Sequence, residues 1–211
     1  MPGKTLAWLS MTLLALLVAG YAGALLAIPE FRPSLVRTLL DERPFAAMSH
    51  FGGSALALAI GTFQLNARLR SRLVGVHRWL GRTYVLGVGV GGISGLSLAL
   101  ESSGGSIARA GFALLAVCWL ACTWLAYRHI RAGDVAAHRT WMIRSFALTF
   151  AAVTLRLYIP VSQIAGIPFP AAYAAIAWLC WIPNLLFAEW FIRTSAPMLS
   201  GLSPSAGRTT T

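Results

Sequence analysis

Residues 77–100 read HRWLGRTYVLGVGVGGISGLSLAL, a histidine and an arginine followed by a long apolar run. A helix that crosses a bilayer needs about 20 mainly apolar residues, and after Trp79 this stretch carries one charge, on Arg82. A second pair, His138-Arg139, opens another apolar run 61 positions later. The sequence therefore predicts two membrane-spanning helices, each with a histidine at its polar end.

The composition of the whole chain predicts an integral membrane protein. Hydrophobic residues make up 57% of the 211 residues and charged residues 11%, whereas soluble domains average roughly 25% charged residues. Six apolar runs have the length of a membrane span, at residues 6–28, 45–65, 79–100, 108–127, 141–159 and 171–192. We expect an all-α, six-helix bundle in a single domain over 1–193, followed by a disordered tail at 194–211 that is rich in Ser, Thr, Gly and Pro.

The formal net charge of +11 is concentrated in two short links. These links join spans two and three and spans four and five, and they contain Arg68, Arg70, Arg72, Arg78 and Arg82 in the first and Arg128, Arg131, Arg139 and Arg144 in the second. Because short loops rich in Arg and Lys stay on the cytoplasmic side, the pattern predicts an inner-membrane protein with both termini in the cytoplasm. The basic residues favour contact with membrane lipids, and no nucleic acid partner is needed to explain them.

The two links also share a pattern. An arginine, six residues and then His-Arg occur at 70–78 and again at 131–139. Spans two and three and spans four and five are compatible with two parallel copies of one hairpin, and also with a chance recurrence of basic loops. The duplication predicts a four-helix core of spans two to five, flanked by spans one and six.

The paired histidines suggest a cofactor site. Imidazoles at the cytoplasmic ends of spans three and five are candidates for the two axial ligands of one b-type haem. We expect Arg78, Arg82 and Arg139 to meet its propionates, and no other metal site is predicted. The alternative is that His77 and His138 are polar anchors at the membrane interface.

Further polar residues lie inside the apolar runs. His50, Arg156 and Tyr158 are predicted to frame an outer pocket for a quinone or another carbonyl-bearing ligand, with Glu101 as the counter-ion of Arg156. A charge at such depth is costly unless it is paired. A second set is expected to serve the structure: Glu189 as the counter-ion of either Arg144 or Arg82, and Asn184 beside a kink at Pro183.

Three blocks resemble a known family. HRWLGRTYVL at 77–86, HRTWMIRSFALTFAAVTLRLY at 138–158 and WIPNLLFAEW at 181–190 are similar to a bacterial family of predicted multi-pass membrane proteins of unknown function. The resemblance covers about 45–193. It implies that a set of polar residues occupies the family's motif positions, namely His50, His77, Arg82, His138, Arg144, Arg156, Asn184 and Glu189.

The architecture is also similar, more distantly, to transmembrane b-type cytochromes and ferric reductase-like proteins. This chain departs from those proteins because it offers one inner histidine pair instead of two and carries no flavin or nucleotide domain. The functional hypothesis is electron transfer through one haem. The alternatives are a non-redox small transporter, an accessory subunit or a ligand-binding membrane protein.

Overall fold

The computed structural model describes residues 2–200. Side chains are described for all of these except residues 2–4, 68 and 196–200. Within this part of the chain every regular element is helical. The elements are α1 (Pro2–Ala27), a short 3-10 helix (Pro29–Phe31), α2 (Ser34–Glu42), α3 (Pro44–Gln64), α4 (Ala67–Arg72), α5 (Val74–Leu100), α6 (Gly105–Arg131), α7 (Val135–Thr149), α8 (Ala151–Ile164), α9 (Phe169–Leu179) and α10 (Ile182–Ser200).

Six segments of the described chain are long and apolar enough to cross a membrane. Span one is α1, span two α3, span three α5 and span four α6, while α7 with α8 forms span five and α9 with α10 forms span six. Span five, Val135–Ile164, extends beyond the predicted 141–159 at both ends. The predicted disordered tail begins inside α10, which continues to Ser200, and residues 201–211 lie outside the described residues.

Spans two to five pack in a closed ring, which confirms the predicted four-helix core. Each of α3, α5, α6 and α7 contacts the next, and α7 returns to α3. Span one packs on α3 and α8, and span six packs on α6, α7 and α8. We call the end that carries α4 and the turn between α6 and α7 the basic end, and the other end the distal end.

The closest approach in the ring is between α3 and α5. A β-carbon added at Gly53 would lie 2.7 Å from the backbone nitrogen of Gly91 and 2.8 Å from the carbonyl oxygen of Gly87. Real β-carbons do not come this close to backbone atoms, so at Gly53 the two helices meet backbone to backbone. Gly87 and Gly91 of span three therefore form a helix-packing surface, as small residues do in other membrane bundles.

Spans five and six are each interrupted near mid-length. The first break is at Phe150, between α7 and α8, and the second at residues 180–181, between α9 and α10. Asn184 donates to the carbonyl of Ala147 (3.4 Å), to that of Cys180 (3.0 Å) and to Thr154 Oγ1 (2.9 Å). The amide thus compensates backbone carbonyls at both breaks, which membrane helices require where the helical ladder is interrupted.

Candidate functional site

A cluster of hydroxyl groups fills the centre of the four-helix ring. Tyr84 of α5 is fully buried, and its Oη lies 2.7 Å from Ser145 Oγ and 2.7 Å from Thr149 Oγ1. Thr123 Oγ1 lies 2.7 Å from Ser145 Oγ, and the indole of Trp119 donates to Thr149 Oγ1 at 2.8 Å. We call these five side chains the central hydroxyl cluster.

The donors and acceptors of this cluster can be assigned as one continuous chain. The Trp119 N–H donates to Thr149, whose hydroxyl donates to Tyr84, and the Tyr84 hydroxyl donates to Ser145. The Ser145 hydroxyl then donates to Thr123, which donates to the backbone carbonyl of Trp119 at 2.8 Å. Every hydrogen is used once, so the cluster joins spans three, four and five without an unpaired polar group.

The cluster fixes the direction in which the two histidines face. His77 precedes Tyr84 by seven residues, and His138 precedes Ser145 by seven. Residues seven apart share a helix face, about 10 Å apart along the axis. Because Tyr84 and Ser145 touch across the ring, His77 and His138 face the same axis two turns nearer the basic end.

The two imidazoles differ in their surroundings. The Nδ1 atom of His138 donates to the carbonyl of Ala126 at 2.9 Å, which leaves Nε2 with a free lone pair in the neutral ring. The Nδ1 atom of His77 is buried and has no hydrogen-bond partner. Both side chains are half-buried, and the two rings lie within electrostatic range of each other.

Gln64 joins this site and was missed from sequence. Its Nε2 is a second buried atom without a partner, and its Oε1 is 3.7 Å from the position of a β-carbon on Gly81. Gly81 lies one turn from His77 on the same face of α5. A glutamine at the last position of an otherwise apolar span was the signal available in the sequence.

Arginines surround the paired histidines unequally. Arg70 lies in electrostatic range of both His77 and Arg139, and burial, with a smaller contribution from Arg139, lowers the pKa of the Arg70 guanidinium. Arg78 also acts on His77 but is exposed. Arg82 is exposed and, five residues after His77, lies on another face of α5.

The acidic residue of the second basic link does not neutralise these arginines. Asp134 caps α7 by accepting from the backbone N–H of Ala137 at 2.9 Å. Its other oxygen lies 3.4 Å from His129 Nδ1. The cationic surroundings of the paired histidines are therefore suited to an anionic group.

A second group of polar residues lies towards the distal end. The Nδ1 atom of His50 donates to the carbonyl of Gly91 at 2.8 Å. A β-carbon on Gly95 would lie 2.6 Å from that same nitrogen, so the ring occupies the space that the glycine leaves open. The ring of His50, from α3, is thereby held against α5, and its Nε2 remains available as an acceptor.

Arg156 of α8 approaches the same region. Its Nη1 donates to the carbonyl of Ala152 at 3.0 Å, its Nε is buried without a partner, and its guanidinium lies 5.8 Å from the ring centre of Tyr21 in α1. The guanidinium is within electrostatic range of His50. Glu101, expected as its counter-ion, instead forms an ion pair with Arg43.

Tyr158 does not share this environment. It follows Arg156 by two residues, about 200° around the helix, and packs against the interior cluster that contains Trp119 and Trp181. The structure thus brings His50 and Arg156 into one region and adds Tyr21, which the sequence did not indicate.

Arg144 and Glu189 are partly buried and form an ion pair. Arg144 contacts both carboxylate oxygens of Glu189, with Nε to Oε1 at 2.5 Å and Nη2 to Oε2 at 3.0 Å. The guanidinium also lies 4.5 Å from the centre of the Trp141 ring. This arrangement joins span five to span six and leaves no unpaired charge, as expected for a structural pair.

Fold and composition define a polytopic α-helical membrane protein with a four-helix core, and its polar side chains are gathered near the two ends and along the core axis. The model of the family described as "Predicted membrane protein (DUF2306)" matches residues 47–192, and the chain belongs to this family. No curated protein and no solved structure matches the chain. The similarity to b-type cytochromes therefore stays a prediction.

Proposed function

We propose that the protein transfers single electrons in the inner membrane through one b-type haem, held between His77 and His138, with a membrane quinone as electron partner. The basic end is proposed to face the cytoplasm, together with both termini, because its short links carry most of the arginines. The observation that carries the proposal is the contact of Tyr84 with Ser145, because it supports a position of His77 opposite His138 two turns nearer the basic end.

The residues present fit a haem in three respects. The carbonyl of Ala126 orients His138 through Nδ1, as backbone carbonyls orient metal-binding imidazoles elsewhere. The Nδ1 atom of His77 is buried and has no hydrogen-bond partner in the protein, so no protein contact fixes this ring against ligand binding. At the level of Tyr84 and Ser145 the two helices are separated by a tyrosine, a hydrogen bond of 2.7 Å and a serine, and a similar spacing two turns away would accommodate two imidazoles with one iron between them.

The number of protein donors is compatible with the same group. Among the described residues, no group of three or more His, Cys, Asp or Glu side chains is placed to hold a metal ion. Two imidazoles suffice when the bound group supplies the other ligand atoms itself, as a porphyrin does. When bound, haem supplies a one-electron couple, and the protein sets its potential through the ligands and their surroundings.

The neighbouring residues have separate roles in this proposal. Partly buried Arg70 would supply positive charge to the propionates of a bound haem, and exposed Arg139 and Arg78 would extend this charge towards the aqueous phase. The central hydroxyl cluster closes the bundle above the histidines, because Tyr84 fills the axis between spans three and five. It therefore separates the proposed haem site from the middle of the membrane.

A second candidate function is transport of a small solute. Spans five and six are both interrupted near mid-length, and Asn184 and Thr154 meet where the interruptions adjoin. Discontinuous helices at mid-depth are typical of the binding sites of secondary transporters. This alternative requires no cofactor at His77 and His138.

The test is the visible spectrum of the purified full-length protein after incubation with haem. We expect a Soret band and, on reduction, the sharp α band of bis-histidine ligation. His77→Ala and His138→Ala should each abolish this signature, whereas His129→Ala, a histidine at the same end, should leave it unchanged. His138→Met checks folding independently, since a retained haem should show a shifted spectrum.

A folded protein that binds no haem would overturn the proposal and favour transport. Haem retained in both alanine variants would also contradict it, because the iron would then be held elsewhere.

A further inference from the structure

We infer that His50, Arg156 and Tyr21 form a binding site for the ring of a membrane-soluble hydroquinone. This inference rests on the proposed function to the extent that it locates the electron partner. The contacts themselves do not depend on the haem, since Gly91 lies fourteen residues, or about 21 Å, along α5 from His77. Binding at the distal site can therefore be measured separately.

Arg156 is a charged hydrogen-bond donor whose Nε lacks an acceptor. Its Nη1 donates to the carbonyl of Ala152, but its Nε is buried with no partner, and the predicted counter-ion Glu101 is engaged by Arg43. A cation in apolar surroundings is stable when it is paired or bound to acceptor oxygens. The site therefore calls for a ligand that brings an acceptor oxygen.

The position of the guanidinium argues against a lipid phosphate as that ligand. Arg156 lies eight residues before the end of α8, or about 12 Å below it. The side chain bonds to Ala152, one turn nearer the basic end, and so does not extend towards the distal headgroups. A ligand must come from within the membrane to reach it.

His50 specifies the second half of the ligand. Its Nδ1 is committed to the carbonyl of Gly91, so Nε2 of the neutral ring can only accept. The ligand must therefore offer a donor to His50 and an acceptor to Arg156. A hydroquinone has both on one ring, whereas an ionised fatty acid has acceptors only.

Tyr21 supplies an aromatic wall and the route of access. Its ring lies beside the Arg156 guanidinium, and the residue is 42% exposed on the outside of α1. In a bilayer this surface faces lipid, so a membrane-soluble ring can reach the site without crossing the aqueous phase. Aromatic rings pack well against one another in offset or edge-to-face arrangements.

The experiment measures binding of decyl-ubiquinol to the full-length protein in nanodiscs. We expect Arg156→Gln and His50→Asn to raise the Kd at least tenfold. The asparagine amide can keep the bond to Gly91 but has no counterpart of Nε2, so it separates ligand binding from helix packing. Arg109→Gln is the control, because Arg109 is an exposed distal arginine bonded to the carbonyl of Ser102.

A methylated ligand tests the role of His50 directly. The dimethyl ether of the same quinol lacks hydroxyl donors, so it should bind to the native protein more weakly than the quinol does. On the His50→Asn variant, the ether and the quinol should bind with equal affinity. Where Arg156→Gln fails to fold, Arg156→Lys should fold and still bind more weakly. Unchanged affinity in the folded variants, or equal displacement of the quinol by oleate, would overturn the inference.

The two proposals fail in different ways. A haem spectrum without quinol binding removes the distal site alone. Quinol binding by a colourless protein removes the haem proposal and leaves the distal site.

Discussion

Replacing Tyr84 with phenylalanine removes one oxygen atom from the centre of the bundle. The residue is fully buried, and its hydroxyl makes two hydrogen bonds of 2.7 Å to Ser145 and Thr149. The ring itself stays in place, so the substitution leaves packing intact and opens no large cavity. We therefore expect a loss of stability that reflects hydrogen bonding alone.

The magnitude follows from what each neighbour keeps. Thr149 can still donate to the carbonyl of Ser145 at 2.9 Å, and Ser145 can still donate to Thr123. Hydrogen bonds between membrane helices average about 0.6 kcal/mol and reach about 1.7 kcal/mol. Two such bonds in a fully buried cluster give a cost of about 2 kcal/mol, which for a chain of this size corresponds to a decrease in Tm of roughly 4–8 °C.

The assay is thermal unfolding of the purified protein, followed by circular dichroism. Tyr127→Phe is the matched control, because Tyr127 is 38% exposed and packs beside Trp124. Thr149→Val completes a double-mutant cycle with Tyr84→Phe, and the pair should be coupled because the two groups share a bond. If Tyr84→Phe unfolds at the same temperature as Tyr127→Phe, the assigned hydrogen-bond chain is wrong.

Substitutions at two other contacts test the packing of the bundle. Gly53→Ala should destabilise the protein by about 1–3 kcal/mol, because its β-carbon would meet backbone atoms at 2.7 and 2.8 Å. The control Gly89→Ala, on the open face of α5, should be neutral or stabilising by up to about 1 kcal/mol. Equal unfolding temperatures of the two variants would contradict the close contact. Glu189→Ala should lower the free energy of unfolding by about 3 kcal/mol, because it leaves Arg144 unpaired at 21% exposure. Replacing both residues by leucine should restore most of that loss. The measurement is chemical unfolding of the single and double variants, and additive losses would argue against the pair.

Composition and span length sufficed to predict the membrane bundle and its core. The basic links and the apolar runs follow simple rules of length and charge, because the bilayer excludes most alternatives. The predicted kink in span six is present, but at residues 180–181, with Pro183 in the first turn of α10. Proline is tolerated there because the first turn of a helix leaves its N–H groups unbonded.

The candidate sites were less accessible from sequence because they depend on contacts between distant helices. Tyr21 and Gln64 gain significance only through neighbours on other spans. The interruption at Phe150 arises within an apolar stretch where a hydroxyl bonds back to the helix, as Thr154 does to the carbonyl of Phe150 at 3.3 Å. The partner of Arg156 was assigned wrongly because Glu101 is close along the membrane normal but is taken by Arg43.

The opposition of His77 and His138 across the axis of the bundle can be measured without any cofactor. Cysteines at these two positions, in a background whose native cysteines are replaced by alanine, should be joined within one chain by a short bismaleimide and detected by mass spectrometry. The pair with cysteine at Trp79 in place of His77 should not react, because Trp79 is 64% exposed on the outside of α5. Efficient cross-linking of the Trp79 pair, with none of the histidine pair, would contradict the account.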